Sequence, residues 1–286
     1  MGLFNVESEN ARLRQECDEQ YDDYQARVSK LNSEYISLRD KYNGEISIIN
    51  NERISMREEI RKLYDFLHLI GGKMGNRITV FDFTMELPAI HEELPMIPKP
   101  EKPILENIHI LRDQFLSLPI NQKNQKKLRE FELKLSNCEV EYTNDCDKRI
   151  QKNKSIEDAV EIAQIYRNTV IMVRDTIRDK IIPEMDLIRA FLYADAIRQQ
   201  VLEGGNPQEA QPASIEEYEG TAQDIHFQFV KNTFDFYRIS TQFFKEKILT
   251  NILENKGITD EEKEAFQTKI EEIQRSKELL ESKKVL

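Results

Sequence analysis

Tryptophan is absent from this chain of 286 residues, and glycine occurs only nine times. That scarcity argues against two ordinary globular domains and suits long helices with short connections. No stretch approaches 18 consecutive apolar residues, and the amino terminus lacks a basic segment followed by an apolar core. Cysteine is sparse: Cys17, Cys138 and Cys146 form an odd set without a CxxC pair, which fits free buried thiols in a reducing compartment. A soluble, cytoplasmic, non-secreted protein is the expectation. No Walker A loop, GxGxxG, GxSxG or HExxH occurs. Glu106-Asn-Ile-His109 is a solitary ExxH, whereas a carboxylate-bridged di-metal bundle needs two. The four histidines (His68, His91, His109 and His226) show no ligand spacing. No catalytic, cofactor-binding or metal-binding residue is therefore expected. The net charge of −11 opposes nucleic-acid phosphate and anionic lipid as partners.

What the chain has in quantity is charge, a third of its residues, arranged around apolar seams. Tyr21, Val28, Tyr35, Tyr42, Ile49, Met56, Leu63 and Ile70 recur every seven residues. Cys17, Tyr24, Leu31 and Leu38 fall between them in the four-three alternation of a coiled coil. From Glu45 the intermediate positions turn acidic (Glu45, Glu52, Glu59), and Ile46, Ile60 and Leu67 take over, so the stripe drifts around the helix. The pattern predicts one helix from about Asn10 to Ile70, a rod of roughly 90 Å. Gly44 is its weak point at about 1 kcal/mol. Gly71-Gly72 ends it. Its partner along the seam is expected to be residues 122–150 or a second copy.

Residues 77–87 are the one β-prone stretch, and five prolines between Pro88 and Pro103 then exclude helix and mark an extended connector. A short helix is expected from Ile104 to Leu118, burying Ile108, Leu111, Phe115 and Leu118. A second seam follows (Leu128, Phe131, Leu135, Cys138, Tyr142), for which an antiparallel return along the first helix is plausible. Ser155-Ile-Glu-Asp158 resembles a capping box and is expected to open a helix to about 203, kinked at Pro183. Met185, Ile188, Leu192 and Ala196 continue that helix's stripe. Residues 204–213 read as a flexible loop. Ser214-Ile-Glu-Glu217 is a complete capping box expected to open the most aromatic helix, with Phe227, Phe229, Phe234, Phe236, Tyr237, Phe243 and Phe244 on more than one face. A last amphipathic helix follows Thr259. The domain reading is a long helix (1–72), a connector (73–103), helical segments (104–203, with helices at 122–150 and 155–203), a loop (204–213) and a terminal helical pair (214–286).

The fold expectation is all-α: a long amino-terminal coiled-coil arm and a carboxy-terminal helical bundle, with at most one short β segment at 77–87. The functional expectation is a non-catalytic scaffold, adaptor or structural subunit, oligomeric or bound to protein partners through helical seams. Leu31, Leu38, Ile78, Val80, Phe81 and Phe83 are the candidate partner-binding residues. Nucleic acid and membrane are not expected as partners. Two alternatives rest on short resemblances. The spacing of Arg61 and His68 resembles the Arg…His pair of HEPN-type helical ribonucleases, which implies RNA cleavage, although Lys62-Leu63 replaces the polar residue that follows the arginine there. The opening Met-Gly-Leu-Phe is similar to that of membrane-remodelling coiled-coil proteins of the phage-shock type, a likeness of four residues only.

Overall fold

The computed structural model describes residues 6–71, 94, 96–104, 107–120 and 123–243, together with scattered positions between 261 and 278. Among these residues there is no strand, and the all-α class holds. The elements are α1 (Val6–Gly71), α2 (Asn107–Leu116), α3 (Gln125–Asp175), a π-helical turn (Thr176–Ile181), α4 (Ile182–Leu202) and α5 (Asp224–Gln242). Short 3₁₀ turns lie at Pro207–Glu209 and Ile215–Tyr218. The β-prone stretch, with Ile78, Val80, Phe81 and Phe83, lies outside the described residues, as do Met1 to Asn5 and Phe244.

Two helix starts differ from expectation. Ser155 does not open a helix; it sits exposed inside the unbroken α3. The buried face Tyr142, Cys146, Asn153, Ile156 and Val160 passes straight through this point, so the helix has a continuous surface to cover. A cap can act only on amides that lack a helical partner. The break expected between 150 and 155 is thus absent. Ser214 does cap, but it caps the Ile215–Tyr218 turn, its hydroxyl accepting from the Glu216 amide at 3.4 Å. Gly220, with φ of +70°, then turns the chain, and α5 begins at Asp224. Pro183 lies in the first turn of α4, directly after the π-helical turn. The wider turn accommodates a residue with no amide hydrogen and a ring that crowds the carbonyl four residues back. α4 ends in a Schellman motif, with Gly204 at φ +73° and the Gly205 amide reaching the Gln200 carbonyl at 2.9 Å.

The chain packs as two compact units, Met1–Gly44 with Met96–Val160 and Glu45–Pro95 with Glu161–Leu286. In the first, Leu13, Cys17, Tyr24 and Val28 of α1 meet Ile108 and Phe115 of α2 and Leu128, Phe131, Leu135, Tyr142 and Cys146 of α3. Tyr24 and Tyr142 stack at 4.1 Å with planes 7° apart, and Phe115 packs on Phe131 at 5.0 Å. The helices run parallel here, not antiparallel as expected. Arg12 reaches Glu132, Tyr24 reaches Asp145, and Asn153 reaches the Leu31 carbonyl, with sequence separations of 120, 121 and 122. The cause is the connector, which travels back along α1 before α3 starts. Ile97 bonds Asn43, Pro98 bonds Tyr35, Ile104 bonds Tyr24, and Arg112 bonds Asp18.

In the second unit, Ile46, Ile49, Met56, Ile60, Leu63, Leu67 and Ile70 of α1 are buried. So are Ala163, Tyr166, Val170 and Val173 of α3 and Met185, Ile188 and Leu192 of α4. The acidic positions that interrupt the seam of α1 have partners: Glu45 pairs with Arg167 at 2.9 Å and Glu52 pairs with Arg174, both 122 residues apart. The pairing is again parallel. α5 is buried on several faces, with Phe227, Phe229, Phe236 and Tyr237 fully enclosed.

Candidate interaction surface

Chemical machinery is scarce in the described residues. No group of three or more His, Cys, Asp or Glu there could hold a metal ion. Arg61 and His68 are both exposed on α1, and the His68 ring stacks on Tyr64 at 6.0 Å. His109 stacks on Tyr21 at 4.1 Å and His226 lies 4.3 Å from Phe191, so each packs as a ring. The three cysteines are free and buried, and loss of solvation raises all three thiols, Cys17 to about 11. Such thiols are poor nucleophiles at neutral pH.

One polar cluster stands out in the first unit. The Arg149 guanidinium donates to Asp145 at 2.8 Å, to Asn32 at 3.0 Å and to the carbonyls of Glu101 and Lys102. Tyr24 donates to the same Asp145 at 2.7 Å and accepts from the Ile104 amide at 3.2 Å. Burial and that bond to Asp145 push its phenol well above the usual range. A cavity of about 170 Å³ adjoins the cluster, between Tyr35, Glu101, Lys148 and Lys152. Arg149 and Tyr24, both oriented by Asp145, also bond the backbone of Glu101, Lys102 and Ile104, so the cluster ties that stretch of chain to α1 and α3.

The expected partner residues are placed differently. Leu31 is half-buried and packs against the core cluster shared by α1, α2 and α3 of its own chain; Leu38 is also half-buried. A surface that the sequence reading overlooks lies on α4. Met185, Ile188 and Leu192 bury one face of this helix. Leu187, Ala190, Ala194, Ile197 and Val201 all lie exposed on the other, Leu187 at 48%, Ile197 at 44% and Val201 at 54%. At 100° per residue the mean directions of the two sets differ by roughly 180°. Their spacing is 3, 4, 3 and 4, the interval that keeps an apolar stripe against a second helix. A helix apolar on opposite faces is ordinarily covered on both. A groove beside the stripe is lined by Phe191, Ala194, Arg198, Glu217 and Tyr218. On its rim Asp195 accepts from Tyr218 at 2.7 Å and from Arg198 at 2.7 Å, contacts that hold its carboxyl below the usual range. No helix among the described residues is long and apolar enough to cross a membrane. Comparison of the chain with protein-family models, with curated proteins and with solved structures gave no match.

Proposed function

We propose that the protein is a non-catalytic helical scaffold, working in the cytoplasm, that holds a partner helix on the outward face of α4. The observation that carries this reading is the exposed stripe Leu187, Ala190, Ala194, Ile197 and Val201, opposite a face that is already buried. An apolar stripe kept on a water-exposed helix is a liability unless something covers it. Coiled-coil-like pairing is the mode of contact that the 3-4 spacing suits. The free, buried cysteines accord with a reducing compartment.

The test is purification of the full chain from its native host, as wild type and as Leu187→Glu with Ile197→Glu. Both positions are exposed, so helicity should be unchanged. A stoichiometric species that accompanies the wild type and is lost from the variant is the expected result. Retention of every associated species by the variant would overturn the reading. Hydrolysis of RNA by wild type but not by Arg61→Ala would establish an enzyme in its place.

A further inference from the structure

We infer that the helix covering the outward face of α4 is α4 of a second copy, laid antiparallel. This rests on the reading of that face as a docking surface, and adds the identity of the occupant. Three features of the stripe point to itself. The first is spacing: a partner must carry apolar residues at alternating intervals of three and four, and this helix does. The second is size. The segment of the stripe from Leu187 to Ile197 has large residues at its ends and small ones in its middle (Ala190, Ala194), with Val201 beyond it. Reversed against itself about Leu192, it sets Leu187 opposite Ile197 and Ala190 opposite Ala194, twice each by symmetry. Large then meets large at both ends, and the alanines let the two backbones approach closely between them.

The third feature is charge. Two copies of a chain carrying −11 repel one another, so self-association requires a locally neutral patch. Between Met185 and Leu202 the charged residues are Asp186, Arg189, Asp195 and Arg198, which sum to zero. A strongly basic or acidic partner helix would find no net charge to attract it. Two copies of this helix find none to repel them.

Two measurements on the full chain test the inference. In the first, light scattering follows solution mass up to about 100 μM, a concentration that would saturate a dimer of ~1 μM Kd a hundredfold. The wild type should approach twice the chain mass of 33.8 kDa, and Leu187→Glu with Ile197→Glu should remain at one chain mass. In the second, Ala190→Cys and Ala194→Cys chains are mixed in equal amounts and exposed to oxidised glutathione. The antiparallel pairing predicts that disulfides between unlike chains exceed the half of all dimers that random pairing would give. Unlike pairs at or below that half would indicate no antiparallel register and overturn the inference. So would a wild type that stays at one chain mass. If that monomer still binds a different stoichiometric partner that the Glu variant loses, the docking face stands and only the second copy is refuted.

Discussion

Cys17 is wholly buried, and its thiol is raised from an ordinary value of 9.0 to about 11 by loss of solvation. A group whose folded value lies above its unfolded one contributes stability below the unfolded value and loses it as pH rises through the folded one. The thermal midpoint should therefore hold to about pH 9 and fall toward pH 11. In Cys17→Ala, measured by circular dichroism against its own midpoint at pH 7, that part of the fall should be shallower. An equally deep fall would place the alkaline sensitivity on other groups. The phenols of Tyr42, Tyr142 and Tyr237 are also raised by burial, but from 10.0, so their loss begins at higher pH. Phe236 is fully buried in α5. Phe236→Ala should cost about 3–5 kcal/mol in denaturant unfolding, since the ring's contacts go and the cavity only partly closes. A loss under ~1 kcal/mol would mean that the ring is not enclosed.

Pairing between elements is governed by register. Glu45 and Glu52 on α1 are seven apart, and so are Arg167 and Arg174 on α3. An ion pair held between helices adds little net stability but opposes a slipped register, in which each charge would lose its partner. Arg174→Glu should destabilise the protein, and adding Glu52→Arg should restore part of the loss. A double-mutant cycle is expected to give about 1 kcal/mol of coupling, and a value near zero would remove the pair from the account. The connector follows the same logic. Asn43 accepts from the Ile97 amide at 2.8 Å and donates to its carbonyl at 3.1 Å; Asn50 does the same for Leu94 at 3.0 and 3.5 Å.

At the level of the whole molecule, what could be read from sequence was what depends on periodicity. The seven-residue series from Val28 to Ile70 is buried, as are Leu128, Phe131, Leu135, Cys138 and Tyr142 on α3 and Phe227, Phe229, Phe234, Phe236 and Tyr237 on α5. The parallel run of α3 was not legible. Prolines excluded a helix from the connector, but its direction is set by single side chains, Tyr24, Tyr35 and Asn43, whose hydrogen bonds leave no periodic trace. The paired glutamates and arginines did leave one, a shared seven-residue interval, visible only when the two helices are compared. Ser155 misled because a cap signal is local, while the choice to continue a helix is made by the face it must cover. The outward stripe of α4 was legible by its spacing, but the inward residues Met185, Ile188 and Leu192 satisfy a helical pattern by themselves and conceal it.

The central claim is that the outward face of α4 is covered when the protein works. A nitroxide attached at position 194, in the middle of the stripe, reports this directly through its collisions with a water-soluble paramagnetic reagent. A second nitroxide at Gln199, exposed and away from the stripe, serves as the control. In the assembled full-length protein the account predicts a label at 194 that is immobile and shielded, beside one at 199 that stays accessible. Equal accessibility at the two positions in that assembly would contradict it.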